Sequence, residues 1–151
     1  VMDNILCQVV GQKEITLWHP NEVNNLYVNG STSQVLDIIS PDLEKYPLFE
    51  CASSLSGTLL PGDILFLPSL WFHNTWTLTP SISINIFFRH LSPEFYEPKD
   101  LYGNKDLVIA EQAMDEVRRA CERVSHLPAH YAQFYWRKLL DIVESQITGE
   151  E

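Results

Sequence analysis

The sequence predicts a mostly β fold with α: about six strands over roughly the first ninety residues, followed by a pair of helices. Three observations predict it. Apolar and polar residues alternate with a period of two, most plainly where Ser81, Ser83 and Asn85 interleave with Ile82, Ile84 and Ile86. Turn chemistry separates the short apolar runs, as in Gly11-Gln12 and Pro61-Gly62-Asp63. After residue 106 the spacing changes to three and four.

The first strand covers residues 4–10 and the second residues 13–18, joined by a two-residue loop with glycine first, the preference of a type II′ hairpin. In that register Val10 pairs with Lys13, and Asn4, Leu6, Gln8 and Lys13 share one face. Residues 19–54 carry Asn-Gly and Ser-Pro breakers and form a long, partly ordered insertion, with a brief helical turn in PDLEKYPLF. Further strands are expected near residues 55–60, 64–67, 71–77 and 81–88. About six strands are too few to close an eight-stranded barrel. Residues 91–106 (LSPEFYEPKDLYGNKD) form a polar, proline-bearing connector. Ile109, Ala113, Val117, Ala120 or Cys121, and Val124 then stripe one helix. Pro128 suits the first turn of a second helix, striped by Tyr131, Phe134 or Tyr135, Leu139, Ile142, Val143 and Ile147. The expected division is residues 1–90 for the sheets and 91–151 for the helical region.

Twenty acidic against ten basic residues give a net charge of −10, which works against nonspecific attraction to nucleic acid or anionic membrane. Arg118, Arg119 and Arg123 lie at helical spacing from Asp115, Glu116 and Glu122, which favours a self-paired, solvated face over phosphate contacts. Three widely spaced cysteines form neither a disulfide framework nor a zinc motif and fit a reducing, intracellular compartment, cytoplasmic or nuclear. No apolar run reaches membrane-spanning length. Val1 opens almost directly onto a strand, from which a fragment of a longer barrel is expected.

The chemistry is concentrated between Leu59 and Asn74, LLPGDILFLPSLWFHN. A turn enters a short strand, Pro68 breaks the ladder, and His73 follows on the next extended piece, held by sheet and placed to act as a metal ligand or as a hydrogen-bonded histidine. Lys13 reads either as a solvent-facing charge or as a pocket cation, and the polar face of residues 81–88 as either a wet exterior or a polar interior.

Turn glycine, strand, proline, then Trp71, His73 and the alternating SISINIFF resemble the second half of the metal site in cupin-type double-stranded β-helices, specifically the JmjC hydroxylases. LYVNGSTSQVLDIISPDLEKYPLF, PSLWFHN and YGNKD resemble the JmjC hydroxylases of wybutosine synthesis, over nearly the whole chain. The resemblance implies an Fe(II)- and 2-oxoglutarate-dependent dioxygenase that hydroxylates a hypermodified guanosine beside the anticodon of phenylalanine tRNA. It makes His73 the last iron ligand, Lys13 the partner of the cosubstrate's distal carboxylate, and Asn4 and Asn85 its supporting donors. The family takes its other two ligands from an His-x-Asp or His-x-Glu motif just before a strand like NILCQVV. Asp3 and His19, the nearby candidates, do not form that motif and are rejected as ligands. Without the pair this chain alone is expected to be inactive. A homodimer through the C-terminal helices is also implied, against the plainer reading that they pack on their own barrel. A protein or histone hydroxylase or demethylase, and a catalytically silent cupin module for binding or dimerisation, remain the alternatives.

Overall fold

The computed structural model describes residues 1–103 and 105–148. Asn104 of the YGNKD stretch and residues 149–151 of the helical region lie outside the described residues. The fold is mostly β with two C-terminal helices, as the alternation and the change of period predict. Its strands are β1 (Asp3–Val10), β2 (Lys13–Trp18), β3 (Val28–Asn29), β4 (Thr32–Ser33), β5 (Ser54–Leu59), β6 (Ile64–Leu67), β7 (Phe72–Thr77) and β8 (Ile82–Phe88), and its helices are α1 (Val108–Ser125) and α2 (Ala129–Thr148).

The six long strands form two three-stranded antiparallel sheets, ordered β6-β1-β8 and β5-β2-β7. Each link β1–β2, β5–β6, β6–β7 and β7–β8 therefore passes from one sheet to the other, the winding of a double-stranded β-helix. The sheets meet through Leu6, Ile15, Leu59 and Leu67, with Leu17 and Leu65 packed beside them.

This winding corrects the expected β1–β2 hairpin: Val10 does not pair with Lys13, because β1 bonds β6 and β8 while β2 bonds β5 and β7. Gly11-Gln12 is a corner between sheets. Its glycine signal was ambiguous, since a corner and a type II′ turn both require a positive φ, here 74° at Gly11. Gln8 fixes the corner from inside. Only 2% exposed, it donates from Nε2 to the carbonyls of Val10 (2.8 Å) and Gly11 (3.0 Å), and its Oε1 accepts from Ser83 Oγ at 2.6 Å. Its backbone also bonds the β5–β6 turn, through Gln8 N to Asp63 O and Gly62 N to Gln8 O.

The insertion between β2 and β5 holds a 3₁₀ turn at Pro20–Val23, the small β3–β4 hairpin and a second 3₁₀ turn at Pro47–Cys51. The helical turn expected in PDLEKYPLF thus lies toward its C-terminal end, entered where Asp42 Oδ1 accepts from Lys45 N.

Two compact units are present, residues 1–94 with 98–105, and residues 95–97 with 106–151. In the second, α1 and α2 pack on each other, yet α1 buries no residue and Val117, Trp136, Leu140 and Val143 stay exposed along an apolar groove. Arg118 pairs with Asp115 at 2.6 Å, the self-pairing that the sequence predicts.

A Cβ at Gly11 would stand 2.3 Å from the backbone oxygen of Pro80 and 2.6 Å from Ser81 Cβ, whereas one at Gly30, also at positive φ, would meet nothing within 4 Å. Gly11→Ala is therefore expected to cost more than about 2 kcal/mol in urea unfolding, and Gly30→Ala about 1 kcal/mol, since only the first adds a clash to the left-handed penalty. Equal costs would show that the corner is not tightly closed.

Candidate functional site

Pairing and burial define which strand residues face inward. On β1, Asn4, Leu6 and Gln8 share the core side, and their partners Asn85 and Ser83 on β8 come with them. On β2, Lys13, Ile15 and Leu17 share a side with the core residue Ile15, and β7 opposes them with Thr77, Thr75 and His73. Asn4, Lys13, His73 and Asn85 therefore all lie on the two facing inner sheet surfaces. The corner at Gly11 does this, because it turns the chain between sheets while keeping Lys13 on the inner side.

Lys13 is half-buried and has no ion-pair partner among the described residues. It is the one formally charged side chain among the described inward-facing strand residues, which are otherwise aliphatic, aromatic (Phe87), hydroxyl, amide or imidazole groups. Asn4 is 7% exposed; its Nδ2 reaches Asn85 Oδ1 at 3.5 Å, a weak contact, and its Oδ1 is buried without a partner. A buried amide left half-satisfied costs free energy, and an ordered water, an ion or a ligand is the kind of partner that answers such a group.

His73 sits opposite Leu17, four residues along β7 from Thr77, the partner of Lys13. That spacing is about 13 Å of strand. The ring is exposed and its Nδ1 lies 3.5 Å from the carbonyl of Trp71. With the proton on Nδ1, the imidazole donates to that carbonyl and leaves the Nε2 lone pair free for a metal, the usual arrangement of a histidine ligand.

Asp3 and His19 make contacts of their own. Asp3 lies on the other side of β1 and accepts from Ser69 N, while His19 Nδ1 accepts from Asn21 N at 3.1 Å and its ring packs edge-on against Trp71. Among the described residues no group of three His, Cys, Asp or Glu side chains could hold a metal. The inner surfaces thus offer one cation, the amides of Asn4 and Asn85 and the hydroxyls of Ser83, Thr75 and Thr77 as polar groups. Of the three protein ligands that a facial triad takes, these residues would supply one, His73.

Two clefts open on the other surface of the β5-β2-β7 sheet, under the insertion. One is lined by Glu14, Thr16, Ser56 and Trp76 beneath Ile39 and Phe49. The other reaches Ser33, Trp71 and the edge of His73. Sequence reasoning singled out neither Thr75 and Thr77, nor Gln8 as the corner clamp. The β7 hydroxyls were legible from the same alternation that placed His73; the clamp was not, because it depends on the winding between sheets.

Residues 1–94 match the family model of the cupin-like domain. The chain is 45% identical over 146 residues to a Danio rerio protein named tRNA wybutosine-synthesizing protein 5, with 97% of this chain and 45% of that protein covered. It is 47% identical over 140 residues to the Mus musculus protein of that name, covering 93% and 44%. It is 36% identical over 143 residues to a Gibberella zeae protein named tRNA wybutosine-synthesizing protein 4, covering 93% and 14%. The chain spans less than half the length of these relatives.

Because Asn4 is buried with one oxygen unanswered, Asn4→Leu is expected to leave stability unchanged or raise it by up to about 1 kcal/mol in the unliganded protein, as replacing a half-satisfied polar group with an apolar one does. A loss above that size in thermal or urea unfolding would show that Asn4 contributes to the fold and is not held there for a ligand.

Proposed function

The chain belongs to the cupin-like domain family, and from that premise we propose that it forms the cosubstrate-holding part of an Fe(II)- and 2-oxoglutarate-dependent hydroxylase of wybutosine synthesis. The proposed substrate is the modified guanosine beside the anticodon of phenylalanine tRNA. The wybutosine-synthesizing names of the relatives support the pathway, and the convergence of Lys13, Asn4, Asn85 and His73 on the inner sheet faces supports the chemistry.

Lys13 pairs with the distal carboxylate of 2-oxoglutarate, and the leucine and isoleucine floor beside it excludes water, so the ion pair is stronger than one in solvent. Asn4 and Asn85 donate to the same molecule, and their weak mutual contact gives way to stronger bonds with it. Thr77, opposite Lys13, adds a hydroxyl at the same end. His73 offers Nε2 as one iron ligand, and the His-x-Asp pair expected from the resemblance comes from residues other than these. Once complete, the centre supplies the oxidising power that couples decarboxylation of 2-oxoglutarate to succinate with hydroxylation of a carbon on the base. The protein works inside the cell, in cytoplasm or nucleus, and two copies associate through the apolar groove of α1 and α2.

A second reading, a catalytically silent cupin module, has one observation in its favour: the described residues hold no three-ligand cluster. A protein or histone hydroxylase keeps the cosubstrate site and changes the substrate.

Removing one partner of a buried charge pair costs about 2–5 kcal/mol, so Lys13→Ala in the complete protein is expected to weaken 2-oxoglutarate binding at least tens of fold by calorimetry. Unchanged affinity would move Lys13 out of the site. Succinate release by the complete protein with iron and 2-oxoglutarate is expected to rise on adding phenylalanine tRNA and to vanish in His73→Ala. Stimulation by peptides and not by tRNA would replace the substrate assignment, and no turnover with intact ligands would favour the silent module.

A further inference from the structure

We infer that Asp3 is a positioning residue for the His73 imidazole, acting through the turn at residues 68–71; the inference deepens the proposed function, resting on His73 as a metal ligand. Asp3 opens β1 on the side away from Asn4 and is 5% exposed. A buried carboxylate is strongly unfavourable unless both oxygens are answered. Here each oxygen holds a different segment. Oδ1 accepts from Ser69 N at 2.8 Å, and Oδ2 lies 2.6 Å from Nδ1 of the half-exposed His90, just beyond β8.

The segment tied by Ser69 cannot be relied on to hold itself. Leu70 has φ 69°, a left-handed conformation that costs a residue with a Cβ about 1–2 kcal/mol and persists where the surroundings impose it. The turn closes on a single long bond, Trp71 N to Pro68 O at 3.3 Å. The Asp3 bond to Ser69 supplies a further restraint, with the edge of His19 against Trp71 on the far side. Two residues later comes His73, whose Nδ1 faces the carbonyl of Trp71 at 3.5 Å. The restraint runs from Asp3 to the Ser69 amide, through Leu70 to the Trp71 carbonyl, and so to the tautomer and direction of the His73 ring. Asp3, which sequence spacing offers only as a failed ligand, instead aims one.

The test compares the native chain with Asp3→Ala and Asp3→Asn, metal-free, by amide hydrogen exchange and side-chain ¹⁵N resonances of His73. In Asp3→Ala the Ser69 amide is expected to exchange at least tenfold faster and the His73 nitrogens to report a mixed tautomer population, while the Leu6 and Leu65 amides keep native protection. Asp3→Asn retains an acceptor for Ser69 and is expected to restore both signals. Unchanged His73 resonances, or protection lost uniformly across the sheets, would overturn the inference. Should alanine prevent folding, Asp3→Glu displaces the same contact by one methylene, and an unmoved His73 signature there overturns it equally. In the complete protein, Asp3→Ala is expected to weaken metal binding by no more than the about 10–100-fold that loss of a directly bonded orienting partner costs, which Co(II) absorption reads. Native protein in which Co(II) leaves His73 unperturbed would defeat the ligand assignment of the proposed function, whereas the dependence of the ring on Asp3 is decided by the metal-free spectra.

Discussion

Every feature of the site depends on the closed corner at Gln8. A chain leaving β1 can double back along its own sheet or cross to the other, and a glycine at positive φ permits either. The buried amide of Gln8 selects the crossing. It bonds the carbonyls of Val10 and Gly11 at the point where β1 ends, and it takes the Ser83 hydroxyl in return. Its backbone is bonded to the turn between β5 and β6, and Gly11 lies directly against Pro80 and Ser81 between β7 and β8. Three connections between the sheets thus converge on Gln8 and Gly11, and their closure sets where Lys13 begins the second sheet.

The interior that results is divided between holding the fold and holding a ligand. Only Leu6, Ile15, Leu59 and Leu67 form the buried cluster joining the sheets, a modest core at roughly 25 cal/mol per Å² of apolar surface buried. The rest of the inner surface mixes further apolar residues, Leu17, Leu65 and Phe87 among them, with amides, hydroxyls, one imidazole and one ammonium group. Such residues contribute less to stability than aliphatic ones in the same places. The outer surface of the β6-β1-β8 sheet reverses the usual pattern, with Ile64, Phe66, Ile84 and Ile86 each more than half exposed. The inner side of that sheet mixes Asn4, Gln8, Ser83 and Asn85 with Leu6, Leu65, Leu67 and Phe87, while its outer side is largely apolar and exposed.

Much of this was legible in the sequence, and the failures have physical causes. Strand positions were readable because alternation is local: the expected strands at 13–18 and 64–67 coincide with β2 and β6, and the others differ by a residue or so at their ends. Partnership was not, because it is a property of the whole winding. The hairpin assigned to Gly11 had the right turn residue and the wrong neighbour. Asn4 and Lys13 nevertheless share the interior, since the corner preserves the inward side of β2 where a hairpin would have kept both on one sheet. The face of residues 81–88 was ambiguous in sequence for a similar reason. Alternation fixes that Ser83 and Asn85 lie together, and only the bond from Ser83 to Gln8 shows that their side is the inner one. Asp3 was correctly set apart from Asn4 by the period of two, but its tie to Ser69 spans sixty-six residues and no local pattern carries it.

Charge gives the inner surface its direction. Overall the chain is −10, so a dianion approaching from outside meets repulsion over most of the surface. Lys13 has no carboxylate partner among the described residues and stands about 13 Å of strand from the level of His73. Lys13 stands toward one end of the paired strands β2 and β7 and His73 toward the other, a cation and an imidazole on one inner surface. In the function we propose, Lys13 takes a carboxylate and His73 the metal that the other end of the same molecule chelates. A neutral or singly headed ligand would leave either Lys13 or His73 unanswered. In the function we propose, the separation of Lys13 from His73 along the strands is what would match a short, double-headed anion, one carboxylate toward Lys13 and the chelating end toward the imidazole.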